Sequence, residues 1–164
     1  MTKTTPLARL AYVLAALVIV LDQLSKWWIT GPLDLPSHGR ILVLPPFFNL
    51  SMVWNRGVSF GLLRADADVG RWGLALFSTA IALGFAVWAR KLDRKLLALA
   101  VGLVMGGAVG NVIDRVRLGA VVDFLDFNGL YFPWVFNVAD CGVTVGMALI
   151  LLDSLIHSAP VKSA

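Results

Sequence analysis

The stretch LLALAVGLVMGGAVGNVIDR, residues 96–115, decides how this chain is read. No charge interrupts 96–113, which approaches the roughly 20 residues that an α-helix needs to cross a bilayer. Gly102, Gly106 and Gly110 recur every fourth residue, a small-xxx-small face that lets another helix approach closely. Asn111, Asp114 and Arg115 follow at i, i+3 and i+4, so Asn111 shares a helix face with both ionisable residues.

Three further apolar segments of similar length lie at about 10–29, 72–89 and 134–157. Hydrophobic residues make up 59% of the 164 and charged ones 15%, against about 25% charged in soluble domains. The expected architecture is a four-transmembrane-helix bundle forming a single domain over 1–164. The first segment follows Lys3 and Arg9 as a signal peptide would. No small-x-small cleavage site ends it, so a retained span is expected. Trp27, Trp28, Trp72, Trp88 and Trp134 stand at span ends, where aromatic rings settle at headgroup level. The net charge of +4 comes from basic residues clustered at those ends rather than in a stripe, which argues against nucleic-acid binding. A single cysteine, Cys141, leaves no intrachain disulfide.

Lys and Arg divide evenly between the two sides, so orientation rests on density. Arg90-Lys91-Leu92-Asp93-Arg94-Lys95 packs four cations into a short turn of the kind that stays cytoplasmic. Both termini are then expected in the cytoplasm, with the loop over about 30–71 and the loop carrying Asp123 outside. The first of these loops is rich in β-branched and aromatic residues over 40–55. Pro45 and Pro46 confine a strand there to an edge or a break. Asn55-Arg56-Gly57 supplies a turn, and 58–61 resumes an extended pattern. A small antiparallel β-sheet over about 40–63, lying on the outer membrane face, is expected. Arg64 to Asp68 reads as a short surface helix or cap leading into the second span.

All ten acidic residues are aspartates. Ionisable groups within or beside membrane spans are costly and signal function by default. Asp22 and Lys26, at i and i+4, either form a plain ion pair or support a site. Ser25 beside Lys26 does not read as a hydrolase pair, since neighbours diverge on a helix. Asn137 and Asp140 are three apart at the start of the fourth span. Asp126 reads as a loop carboxylate without polar company. Cys141 reads as a small packing residue turned away from Asp140. His38 and His157 are far from other metal-type ligands, so no metal site is expected.

Asp123 and Asp140 both stand at span edges, which suits paired-carboxylate hydrolysis. That chemistry uses one ionised and one protonated carboxyl, because two close charges cannot both ionise. The ionised member takes a proton from water, and the protonated one hydrogen-bonds the scissile carbonyl.

Five blocks taken in order resemble the bacterial lipoprotein signal peptidases, or signal peptidase II. They are Asp22-Gln23-Leu24-Ser25-Lys26, the 55–61 stretch NRGVSFG, the 106–115 stretch GGAVGNVIDR, Val121-Val122-Asp123-Phe124 and the 136–140 stretch FNVAD. Val58 stands where smaller residues often occur in that family. The resemblance implies a membrane aspartyl endopeptidase of the bacterial inner membrane with Asp123 and Asp140 as the catalytic dyad. Asp22, Lys26, Asn55, Gly57, Asn111, Asp114, Arg115 and Asn137 would orient the dyad or bind substrate. It also implies cleavage of diacylglyceryl-modified prolipoproteins just before the lipidated cysteine, without cofactor or metal; a monomer in contact with membrane lipid is expected. Two other classes compete with this reading: a proton-coupled transporter relaying through Asp22, Asp114 and Asp140, and a non-catalytic lipid-binding or assembly subunit built on the glycine faces. The first would want carboxylates spread across membrane depth, whereas these cluster near one boundary.

Overall fold

The computed structural model describes residues 5–57 and 67–157. The extended pattern expected at 58–61 and most of the helix or cap expected at 64–68 lie outside those residues. The described chain forms α1 (Pro6–Thr30), α2 (Leu35–His38), β1 (Arg40–Leu44), β2 (Phe48–Asn55), α3 (Ala67–Ala89), α4 (Lys95–Leu118), β3 (Val121–Asp126), a 3₁₀ turn (Asn128–Leu130), β4 (Val135–Phe136) and α5 (Val138–His157). Four of these helices, α1, α3, α4 and α5, are long and apolar enough to cross a membrane.

The helix bounds follow local chemistry. Thr5 caps α1 by accepting the Ala8 N–H at 3.1 Å, and Pro6 occupies the first turn, where its missing N–H costs nothing. At the far end of α4, Gly119 takes the left-handed conformation (φ 78°) that closes many helices. That stop comes five residues beyond the expected 113, so Asp114 and Arg115 sit within the helix. The fourth span starts at Val138 rather than at 134, because Val135 and Phe136 pair with β3 instead of coiling.

α4 is the central helix: 61% of its span is buried, against 17–28% for the other three. Its glycines explain why. A Cβ built on Gly106 would lie 2.6 Å from Val18 Cβ and 2.7 Å from Ala15 O, so α1 packs against bare α4 backbone. Outward faces stay apolar, with Leu76 72% and Leu155 78% exposed, as lipid-facing helices require.

The sheet lies at the end of the bundle where α1 and α4 finish and α5 begins. Its order is β1-β2-β3-β4, antiparallel throughout. The prolines behave as expected: β1 ends at Leu44, the Pro45–Pro46 bond is cis, and β2 begins at Phe48. The expectation of a sheet drawn from one loop is corrected. Half its strands, β3 and β4, come from the connection between α4 and α5, since β2 offers a free edge and 121–126 can pair with it. Val122 and Phe124 pack with Ile29 and Leu35, which seats the sheet on the end of α1. Alternation turns Asp123, between them, to the opposite face.

Candidate active site

Asp123 is 1% exposed and bonded on both oxygens. Oδ1 accepts from Asn137 Nδ2 at 2.6 Å and Oδ2 from Asn55 Nδ2 at 2.9 Å. Strand register explains the second bond: Asn55 pairs with Val121 and Val53 with Asp123, so Asn55 lies diagonally across one sheet face from the carboxylate. Asn55 Oδ1 in turn accepts the Gly57 N–H at 2.8 Å. Gly57 has φ 91°, and a Cβ there would collide with the Leu74 side chain of α3, so the turn demands glycine on two grounds. Burial, reinforced by the neighbouring charge of Asp140, pushes the Asp123 carboxyl up to about 6 despite the bonds from Asn55 and Asn137.

Asp140 is half-buried in the first turn of α5. Its Oδ1 accepts from Asn111 Nδ2 at 2.8 Å and its Oδ2 from the Asn137 N–H at 3.3 Å. Asn137 Oδ1 accepts the Asp140 N–H at 3.0 Å, a reciprocal cap of the helix start. One asparagine thus bonds both carboxyls, Asp123 with its side chain and Asp140 with its backbone. It also donates to Asn111 Oδ1 at 3.3 Å.

A buried ionic group supports this pair. Lys26 Nζ lies 2.8 Å from Asp22 and 2.8 Å from Asp114, and it donates to Asn111 Oδ1 at 3.4 Å. Asp22 Oδ1 accepts the Ala139 N–H at 3.0 Å, and Asp114 Oδ2 accepts the Val122 N–H at 3.1 Å. The two carboxylates therefore tie α1 and α4 to the peptide units next to Asp140 and Asp123. Room for Asp22 depends on Gly110, where a Cβ would stand 2.6 Å from Oδ2. Asp22 and Lys26 form the expected ion pair, and Lys26 also donates to Asn111, which bonds Asp140. Ser25 donates to the Asp22 carbonyl at 2.7 Å, not to Lys26. Asp114 takes Lys26 as its ionic partner, while Arg115 donates to the Asn111 carbonyl at 3.4 Å and lines the cavity.

That cavity, about 470 Å³, is walled by α3, α4, α5 and the sheet, and holds Asp123, Asp140, Asn55, Asn111, Arg115 and Trp134. A second of about 280 Å³, almost wholly apolar, runs from Asp140 along Phe132, Trp134, Phe136 and Val145. Cys141 lines it too, which corrects its expected turn away from Asp140: one helical step is only about 100°, so both can border one cavity.

Asp126 is also corrected. It ends β3 at 5% exposure with ample polar company: Ser51 Oγ at 2.6 Å, the Asn128 N–H at 2.9 Å and Arg40 at 3.3 Å. Burial raises this carboxyl, but those three partners outweigh it and hold the group below its ordinary value. Adjacent strands bring these partners together, which linear sequence hides. Gln23 was likewise missed as a site residue. Its Nε2 donates to Asp22 at 3.1 Å and Asp114 at 2.9 Å, a bridge across 91 residues that no local spacing announces. Among the described residues, no three His, Cys, Asp or Glu side chains group as metal ligands would.

Fold and site together define a multi-pass membrane protein with two buried or half-buried carboxylates meeting one cavity at the end of its bundle. The family model described as signal peptidase (SPase) II matches residues 14–156. The chain belongs to that family, and is thereby a peptidase. A lipoprotein signal peptidase of Caulobacter vibrioides is 54% identical over 148 residues, 90% of this chain and 87% of the relative. One from Methylorubrum extorquens is 44% identical over 84% of this chain and 80% of its own. Two solved bacterial membrane enzymes, obtained by the in meso method, superpose with TM-scores of 0.77 and 0.76 at 28% and 30% identity. The first covers 94% of this chain and 92% of its own; the second, 88% and 92%.

Proposed function

We propose that this chain removes signal peptides from diacylglyceryl-modified prolipoproteins, cutting just before the lipidated cysteine with water activated by Asp123 and Asp140. The observation that carries the reading is the double use of Asn137, which bonds both carboxyls at the wall of one cavity. The carboxyls share one proton. The ionised member takes a proton from water as that water attacks the scissile carbonyl carbon, and the protonated member hydrogen-bonds the carbonyl oxygen. Collapse of the tetrahedral species breaks the C–N bond, and a carboxyl protonates the departing amine. The raised Asp123 carboxyl favours keeping the shared proton, which belongs to the coupled pair.

Asn111 and Asn55 hold the carboxylates in orientation, and Arg115 offers its donors to substrate oxygens at the cavity wall. Asp22, Lys26 and Asp114 keep Asn111 and the adjoining backbone in place, and Gly57 fixes the turn behind Asn55. A lipid-tailed substrate partitions into the bilayer, and the apolar cavity beside Asp140 suits part of it. The short basic turn 90–95 supports an inner-membrane protein with cytoplasmic termini, so the sheet and site face outward. In this reading 1–164 acts as one monomeric domain that needs no metal or cofactor.

The test is cleavage of a lipidated precursor by the purified, reconstituted chain. Asp123→Asn and Asp140→Asn should each reduce turnover about a thousandfold or more while preserving the melting transition. Substantial residual turnover in either folded variant would remove that residue from the dyad.

A further inference from the structure

The two helices that carry Asn111 and Asp140 bring a second charged cluster together at their other ends. Asp153 lies thirteen residues past Asp140 on α5, about 20 Å away at 1.5 Å per residue. It is 1% exposed, and Arg94 Nη1 meets its Oδ2 at 2.5 Å. Among the described residues, Oδ1 has no hydrogen-bond donor. His157 Nδ1 stands 3.5 Å from that oxygen, but the ring bonds the Asp153 backbone carbonyl at 2.9 Å and leaves the carboxylate unserved. A buried acceptor without a donor is costly. Asp153 borders a cavity of about 250 Å³ together with Trp88, Arg94, Leu97, Ile150 and His157.

Arg94 brings positive charge to this cavity, and the connecting turn it belongs to carries Arg90, Lys91, Arg94 and Lys95 against a lone Asp93. α4 starts at this point without a side-chain cap, so its first-turn N–H groups and positive dipole end lack a side-chain acceptor. Such an end suits an anion, above all a phosphate. Trp88 at the close of α3 and the apolar Leu97 and Ile150 suit the glycerol and upper acyl region of a lipid.

We propose that this cavity binds the headgroup of a phospholipid carrying a primary ammonium, of the phosphoethanolamine type. The phosphate sits against Arg94 and the start of α4, and the ammonium donates to Asp153 Oδ1 after the half-exposed His157 ring swings aside. Basic pockets between helix ends take lipid headgroups on the same electrostatic grounds. The buried acceptor adds discrimination: a trimethylated ammonium has no N–H to offer it. A cationic peptide segment would satisfy Asp153 but leave Arg94 and the uncapped start of α4 without an anion, so the zwitterion is favoured.

The full chain, purified and delipidated, would be titrated with dioleoyl phosphatidylethanolamine or dioleoyl phosphatidylcholine, and bound lipid read by native mass spectrometry. The ethanolamine lipid should bind about tenfold more tightly than the choline lipid, a comparison that needs no variant. Asp153→Asn should bring the ethanolamine lipid down to the choline level, whereas Arg94→Gln should weaken both. Equal binding of the two lipids by the unaltered chain would overturn the proposal, as would an Asp153→Asn protein that keeps the preference. Full competition by soluble glycerophosphoethanolamine at matched concentration would assign the site to a free metabolite and overturn the lipid assignment. A preference gained only after residues 158–164 are removed would give Asp153 to the chain's own tail.

Discussion

At one end of α4 and α5, Lys26 lies between two buried carboxylates, and every oxygen of Asp22 and Asp114 has a donor. At the other end, Asp153 is as deeply buried and has Arg94 on one oxygen, while the other has no donor among the described residues. Both groups are ionic and both are screened from water, yet one is closed upon itself and the other is incomplete. The closed cluster spends its bonds on backbone N–H groups beside Asp123 and Asp140, so it fixes geometry. The open cluster has bonding capacity to spare, which is what a ligand requires. Burial of charge is therefore not one phenomenon in this molecule; the bonds left over distinguish a brace from a receptor.

The contrast can be broken at several points. The largest effect is expected at the carboxylates that the closed cluster serves: if the proposed dyad holds, Asp123→Asn and Asp140→Asn should each lose about three orders of magnitude in turnover without unfolding. Next, Lys26→Met leaves Asp22 and Asp114 buried against each other without their cation. Breaking a buried pair in this way costs roughly 3–5 kcal/mol, read as a large fall in melting temperature together with lost cleavage. A Lys26→Met protein that melts normally would show the cluster to be no brace. Asn137→Ala removes the α5 cap and the bond to Asp123, at about 1–2 kcal/mol in stability. Its loss of activity should exceed that of any cap variant elsewhere, which the rate of the folded variant checks.

A pH series sharpens the comparison at Asp123. Its folded carboxyl titrates at about 6, above the ordinary 3.8, so the folded state holds the proton more firmly than the unfolded chain. This stabilising contribution is full below about 3.8 and is lost as pH rises through about 6. Melting curves of Asp123→Asn should lack that component, while the parent's cleavage rate declines as alkali removes the shared proton. The smallest effect is expected at the open cluster. Asp153→Asn should change stability by about 1 kcal/mol or less in lipid-free detergent, because asparagine keeps an oxygen for the partly exposed Arg94 and places its amide where the carboxylate has no donor among the described residues. A drop as large as that of Lys26→Met would show the two ends to be equivalent.

Much of this was legible in the linear chain. Four helices follow from four long apolar runs, and the glycine period marked a face for close helix packing, which α1 takes. Pro45 and Pro46 placed the end of β1. The candidate site residues stood out because polar groups are expensive beside apolar spans, and the resemblance gathered them into one set. Asp126 misled because its partners sit on strands 75 and 86 residues away in sequence: Ser51 and Arg40 reach it only through the sheet. Residues 134–136 misled because an apolar run gives no sign that Val135 and Phe136 will be claimed by β3.

The sequence by itself determined the solvent this protein folds in, the number of its long helices and the residues available for chemistry, because hydrophobic length and local spacing are properties of neighbours along the chain. Only the tertiary structure decided that Asn137 bonds both carboxyls, that Asp22 reaches the Ala139 N–H 117 residues away, and that Asp153 keeps an oxygen without a donor among the described residues. Those facts depend on how closely helices approach and which strand edges pair. Distant side chains meet only once α4, bare of Cβ atoms along its glycine face, has drawn α1 and α5 against it.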